Sequence, residues 1–208
     1  MENKQIEEIY NSTFSGLTLY YRDTTLDTNL ILKYQVGQIL TERGFTDMSY
    51  KGGGLATNLR YLIASANARD LSALNADSKQ YGHVLLSANV FFKVLDIYKI
   101  GYKTQIFLLE IPVSAVDFFA HETSNIEEDI TKKARENFDE KINSELIAEL
   151  QTSEWEERTE FPIGMNSKGD FFYNAESKTS ALKNSTFVEN IIQADSQTLQ
   201  GKPWWKFW

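Results

Sequence analysis

The 208-residue sequence contains no cysteine, only two histidines and only three prolines. Without cysteine there is no disulfide, no thiolate nucleophile and no zinc site built on Cys. His83 and His121 do not stand at a metal-ligand spacing, so the sequence predicts no metal site. Low proline content and 42% hydrophobic residues argue against disorder and favour a folded core.

Basic residues are also few, with 21 Lys and Arg against 29 Asp and Glu and a formal net charge of -8. Binding to nucleic acid needs clustered Lys and Arg, so we expect no nucleic-acid partner. A protein partner is instead expected to be basic. No run approaches the roughly 20 apolar residues that span a bilayer, and MENKQIEEIYNSTF lacks the apolar run of a signal peptide. These features predict a cytoplasmic location.

The common sequence signatures of nucleotide and hydrolase sites are missing as well. Gly52–Gly54 form a triglycine after Lys51, but the spacing is neither that of a P-loop nor that of GxGxxG. No GxSxG pentapeptide is present. We interpret the triglycine as a loop between two elements. On this basis the sequence predicts no catalytic residue and no cofactor, and it favours a protein that is not an enzyme.

The patterns that are present predict an α+β fold with a mainly antiparallel, mixed sheet. Strands are expected around residues 17–22, 58–65, 90–99 and 103–111, where apolar, aromatic and β-branched residues alternate or run together. The last two should form a hairpin that turns at Gly101.

Two helices are expected to cover this sheet. Residues 28–43 place apolar side chains on one helical face, and Gly44 is expected to end this helix in the left-handed conformation. Residues 125–150 carry an apolar residue at every fourth position, and Ser124 is expected to cap this helix. The apolar face of the first helix consists of Leu32, Val36, Ile39 and Leu40.

The predicted organisation is a single domain over residues 1–200, followed by an aromatic tail over residues 201–208. This tail, GKPWWKFW, contains three of the four tryptophans, and its aromatic residues are Trp204, Trp205, Phe207 and Trp208. Exposed together, these rings would form an apolar patch that needs a partner. Three roles are open: the tail folds back on its own domain, it docks onto a partner or a second copy, or it contacts a membrane, which is the least favoured role.

Trp155 provides a second aromatic anchor, within the acidic run SEWEERTE. Aromatic anchors with acidic neighbours are suited to binding a basic protein. We therefore expect Trp155 and the tail to bind a partner, and we favour a non-enzymatic cytoplasmic protein-binding module. An immunity-type or escort protein for a basic partner, comparable to the bacterial proteins that neutralise toxins, is the specific form expected. A homo-oligomeric assembly subunit that docks through its aromatic tail is one alternative.

A second alternative comes from the order of three polar residues near predicted strand ends: Arg22, Ser65 and Glu110. This order is similar to that of bacterial ADP-ribosyltransferases, in which an arginine and a serine motif hold the nicotinamide dinucleotide and a glutamate stabilises the sugar cation. The resemblance implies an enzyme that uses Arg22, Ser65 and Glu110. The serine-rich triplet and the paired glutamates of that family are absent from ANARD and LLEIP.

Overall fold

The computed structural model describes residues 3–74, 76–121 and 123–175. Their strands form one mixed sheet, which confirms the predicted α+β class. The strands are β1 Thr18–Thr24, β2 Ile39–Glu42, β3 Thr46–Ser49, β4 Leu59–Ser65, β5 Arg69–Asp70, β6 His83–Leu86, β7 Val90–Ile100, β8 Lys103–Ile111 and β9 Asn174–Ala175. The α-helices are α1 Asn3–Thr13, α2 Thr28–Ile31, α3 Ala76–Tyr81, α4 Val116–His121, α5 Asn125–Lys141 and α6 Ser153–Thr159.

Strand β4 lies in the middle of the sheet, whose order is β5-β6-β3-β1-β4-β8-β7-β2-β9. It runs antiparallel to β1 and parallel to β8, and all seven of its residues are buried. Hydrophobic clusters cover both faces of the sheet, which explains why both faces of LRYLIAS are largely apolar. Every fully buried leucine or isoleucine there stabilises the fold by about 1.5–3 kcal/mol.

The predicted hairpin is confirmed as β7 and β8, which pair from Phe91–Ile111 to Ile100–Lys103. Gly101 has φ +61°, the left-handed conformation that a tight connection of this kind requires. Strand β8 ends directly before Pro112, because proline has no N–H group to donate to a neighbouring strand.

The helix predicted over residues 28–43 is wrong. Only α2 is helical there, and residues 39–42 form β2 between β7 and β9. Gly37 adopts φ +84° and breaks the chain direction inside the apparent helical pattern, whereas Gly44 is not left-handed. Leu32 and Val36, which defined the expected apolar face, are 73% and 62% exposed.

The predicted long helix is confirmed in part as α5. Ser124 caps it as expected, since its hydroxyl accepts a hydrogen bond from the backbone N–H of Glu127 at 3.3 Å. The helix ends at Lys141 rather than near residue 150. Beyond it the chain bonds to the glycine loop instead, because Leu55 N–H donates to the carbonyl of Ile142 and Gly54 N–H donates to that of Glu145.

The triglycine is a close-packed loop. A Cβ added to Gly54 would lie 2.1 Å from the carbonyl oxygen of Ser144, and one added to Gly52 would lie 2.4 Å from the ring of Tyr21. These contacts show that the loop packs directly against the ring of Tyr21 and the backbone of Ser144. The loop therefore joins β3 to β4 and packs against the chain that follows α5.

We expect Gly54→Ala to lower the free energy of unfolding by about 2–3 kcal/mol, because the new methyl group would collide with rigid backbone. Urea denaturation measures this loss. Gly44→Ala is the matched control, since its Cβ would come no closer than 3.4 Å to the Glu42 side chain. Equal stability of the two variants would show that the loop accommodates the methyl group.

Within the described ranges, no helix is long and apolar enough to cross a membrane. The predicted tail, residues 201–208, and the C-terminal end of the predicted domain lie outside the described residues. The predicted domain boundary and the three roles of the tail therefore stay predictions.

Candidate functional site

Ser65 and Glu110 meet at the carboxyl ends of two parallel neighbours, β4 and β8. The Ser65 hydroxyl donates to Glu110 Oε2 and accepts hydrogen bonds from the backbone N–H groups of Asn67 (3.0 Å) and Ala68 (3.1 Å). A hydroxyl with one donor and two acceptor positions is fully occupied by these bonds. Ser65 and Glu110 therefore close the end of β4 and hold the turn that follows it.

Arg22 does not join this pair. In the β1–β4 ladder Ser65 is paired with Thr18, whereas Arg22 is paired with Tyr61. The two pairs are four residues apart, which is about 13 Å at roughly 3.3 Å per residue. Ile63, fully buried in the core, lies between them on β4. The structure thus brings Ser65 and Glu110 together but separates both from Arg22.

Arg22 is a buried cation, 5% exposed, and its hydrogen bonds to the described residues all go to neutral backbone carbonyls. Its Nη1 donates to the backbone carbonyls of Asp47 (3.1 Å) and Arg158 (3.2 Å), and its Nη2 donates to that of Phe161 (3.1 Å). No ion pair joins Arg22 to an acidic side chain in the part of the chain that the structure describes. Burial lowers the pKa of this guanidinium from its usual value, because the surroundings solvate the charge poorly.

A cleft of about 450 Å³ opens over Arg22 between β1, the β2–β3 turn and the chain after α6; we call it the Arg22 cleft. Phe45 and Phe161, which are 65% and 57% exposed, lie in its wall and offer flat apolar surfaces to solvent. A buried positive charge below exposed aromatic rings suits a ligand that is both anionic and aromatic. The volume falls in the range of small-molecule sites.

Glu42 and Asp47 are among the residues that line the same cleft, and their carboxylates differ in the hydrogen bonds that they make. Both oxygens of Glu42 accept backbone hydrogen bonds at 2.7 Å, from Gly44 and from Gly164. Asp47 Oδ1 is hydrogen-bonded to His83 Nε2 at 2.8 Å. Asp47 Oδ2 makes no hydrogen bond to the described residues.

Tyr34 and Tyr61 form a rigid layer beneath Arg22. Their hydroxyls are 2.7 Å apart, and Tyr34 also donates to the carbonyl of Ile163 at 2.6 Å. Burial raises the pKa of Tyr61 to about 12, and it raises the pKa of Tyr34 well above its usual value. Both phenols therefore remain protonated near neutral pH and act as fixed hydrogen-bonding groups.

Trp155 is 2% exposed, so the expectation of a surface anchor at this position is corrected. Helix α6 points the indole inward, where it stacks on Tyr81 with 5.2 Å between ring centroids. The predicted partner-binding residues Trp204, Trp205, Phe207 and Trp208 lie outside the described residues. No group of three or more His, Asp or Glu side chains that could hold a metal occurs among the residues described.

Asp47 and His83 were not predicted as site residues from the sequence. Asp47 belongs to β3, which lies next to the strand of Arg22, and His83 belongs to β6, which lies on the other side of β3. Strands β3 and β6 are four residues long, which is too short for a clear alternation. One usable signal was present: His83 is a single polar residue between Gly82 and the apolar run VLL. A polar side chain at the start of a buried strand needs a partner.

No protein-family model and no curated protein sequence match the chain. Several solved structures match part of it, and they include three ADP-ribosyltransferases. HopU1 of Pseudomonas syringae matches with 16% identity and a TM-score of 0.41 over 46% of this chain and 45% of that chain. The Vis toxin of Vibrio splendidus matches with 19% identity and a TM-score of 0.38 over 48% and 50%. Plx2a of Paenibacillus larvae matches with 17% identity and a TM-score of 0.40 over 53% and 71%.

These matches contradict the prediction of a non-enzymatic protein-interaction module of immunity or escort type, since the matched proteins are enzymes. The expectation that the chain is not an enzyme is corrected with it. The chain spans about half the length of the first two proteins, at TM-scores near 0.4. An activity of this chain therefore has to rest on its own residues.

Proposed function

We propose that the chain is an ADP-ribosyltransferase-like enzyme that binds a nicotinamide dinucleotide in the Arg22 cleft. The observation that carries this proposal is the guanidinium of Arg22, which is buried below the cleft and has no acidic partner among the described residues. Three of its five N–H groups bind backbone carbonyls, and a second Nη2 hydrogen is left for a phosphate oxygen. A charged donor that is already desolvated and fixed binds an anion strongly.

Asp47 supplies the negative charge that is needed when the bond between ribose and nicotinamide breaks. When the bond between the ribose carbon C1′ and nicotinamide breaks, its electron pair leaves with nicotinamide and positive charge develops on the sugar. A fixed carboxylate oxygen beside that carbon stabilises the charge. The acceptor then bonds to C1′ and releases its proton to solvent; with water as acceptor, the products are nicotinamide, ADP-ribose and a proton.

This assignment replaces Ser65 and Glu110 in the roles that the resemblance implied. Both side chains are occupied with each other and with the turn after β4, about 13 Å along the sheet from Arg22. Phe45 and Phe161 complete the proposed site, because planar nucleotide bases stack on exposed aromatic rings. The cytoplasmic location and a basic protein partner stay predictions.

Release of nicotinamide from NAD⁺, followed by chromatography, tests the proposal. We expect the intact chain to release nicotinamide and Asp47→Asn to lower kcat about 100-fold, because the neutral amide cannot stabilise a cation. Glu110→Gln is the matched control and should retain activity, since the amide oxygen can still accept from Ser65. Loss of activity in Glu110→Gln with retention in Asp47→Asn would return the catalytic role to Glu110.

A further inference from the structure

His83 is held in one orientation by its neighbours. It begins β6 directly after Gly82, which has φ +60°, and its ring stands edge-on to Trp155 with 5.5 Å between centroids. Trp155 is in turn stacked on Tyr81. The His83 side chain is almost completely buried, so its imidazole has little freedom to rotate.

The contact between His83 and Asp47 also fixes one carboxylate oxygen of the aspartate. His83 Nε2 lies 2.8 Å from Asp47 Oδ1, and an ionised carboxylate only accepts hydrogen bonds, so Nε2 is the donor when Asp47 is ionised. The main chain of the same aspartate is held separately, because its carbonyl accepts from Arg22 Nη1 at 3.1 Å. Asp47 is therefore fixed both at its backbone and at one side-chain oxygen.

We propose that His83 is the positioning residue for Asp47: its Nε2–H holds Oδ1 and thereby turns Oδ2 toward the Arg22 cleft. His83 itself is absent from the wall of the cleft, so it acts through Asp47 and does not touch the ligand. The role of His83 in a reaction of NAD⁺ rests on the enzyme activity proposed above. The tightly packed Trp155 and Tyr81 supply the rigidity that a positioning group needs.

A direct nuclear magnetic resonance measurement tests the contact without any ligand. The chain has only two histidines, so ring N–H signals are assigned by comparison with His121→Gln. We expect a slowly exchanging Nε2–H signal from His83 that disappears in Asp47→Ala. Exposed His121, whose Nδ1 faces the carbonyl of Asp117 at 2.7 Å, serves as the internal reference for fast exchange. A rapidly exchanging His83 ring proton in the intact chain would overturn the positioning role.

Kinetics with NAD⁺ then separate positioning from mere structural support. We expect His83→Phe to lower kcat about 10–100-fold, with KM changed less than about threefold, because the oriented carboxylate acts on the developing charge. His83→Gln keeps an N–H donor and should recover most of the lost kcat. In the double variant His83→Phe/Asp47→Asn the two effects should not multiply, because both variants remove the same oriented oxygen.

The outcomes distinguish the two proposals. Multiplying effects, or a loss in His83→Gln as large as that in His83→Phe, would overturn the role of His83 while leaving the NAD⁺ site intact. Absence of nicotinamide release and of NAD⁺ binding by the intact chain would overturn the proposed function. In that case the ring-proton measurement still decides whether His83 orients Asp47.

Discussion

Arg22→Lys is expected to lower kcat/KM for nicotinamide release by about 100–1,000-fold, within the range observed when a buried, hydrogen-bonded charged contact to a ligand is lost. Lysine keeps the charge but has a single nitrogen at the end of a flexible chain. It cannot reach the carbonyls of Asp47, Arg158 and Phe161 and also bind a phosphate. The loss should appear mainly as weaker binding of NAD⁺, because Arg22 is assigned to the phosphates.

Stability has to be measured beside activity, since three backbone carbonyls lose part of their hydrogen bonding in this variant. We expect NAD⁺ to raise the melting temperature of the intact chain and not that of Arg22→Lys, at a temperature where both are folded. Arg69→Lys is the control, because Arg69 is exposed on β5, at the edge of the sheet. An unchanged kcat/KM in folded Arg22→Lys would remove Arg22 from the site.

The strands that could be predicted from the sequence are those with long, unbroken runs of apolar residues. The seven residues of β4 and the β7–β8 hairpin could be predicted because each strand buries enough apolar residues to leave a clear run. β2 was missed because Ile39 and Leu40 also suit a helical spacing. The left-handed conformation of Gly37, which separates them from α2, cannot be read from a glycine in a sequence.

Of the candidate site, only Arg22 could be predicted from the sequence. The groups that surround Arg22 could not. Two of its three carbonyl partners, those of Arg158 and Phe161, are 136 and 139 residues away in the sequence. Any residue type supplies a backbone carbonyl, so no pattern marks these positions. Asp47 and His83 meet because β3 pairs with β6, and strand order is set by tertiary packing that a single sequence does not reveal.

Sequence alone also misjudged Trp155, because an acidic, aromatic segment fits both an exposed anchor and an amphipathic helix. In SEWEERT the acidic residues of α6 face solvent while Trp155 and Thr159, four residues apart, face inward. A spacing of four residues is a single helical turn and too short to establish a face. The packing of Trp155 against Tyr81 and His83 therefore emerged only from the structure.

Lys93→Met is expected to lower the free energy of unfolding by about 3–5 kcal/mol at neutral pH, because it leaves the carboxylate of Glu127 buried without its cation. The two side chains are joined at 2.9 Å and almost completely buried, and they attach the first turn of α5 to β7. Urea denaturation measures the loss, with the exposed Lys99→Met on the same strand as a control within about 0.5 kcal/mol.

The pH dependence identifies the buried carboxylate as the cause of this loss. Burial raises the pKa of Glu127 above its usual 4.5, whereas Lys93 opposes the shift, so Lys93→Met should raise the pKa of Glu127 further. A raised pKa in the folded state favours the protonated form, so its contribution to stability is complete below pH 4.5 and is lost as pH rises through the folded pKa. The variant should therefore be closest to the intact chain in acid and fall behind it as pH rises toward 8. The double variant Lys93→Met/Glu127→Leu should recover most of the stability at pH 8, because neither charge is then buried. If the double variant is as unstable as Lys93→Met, the loss comes from the packing around Lys93 instead.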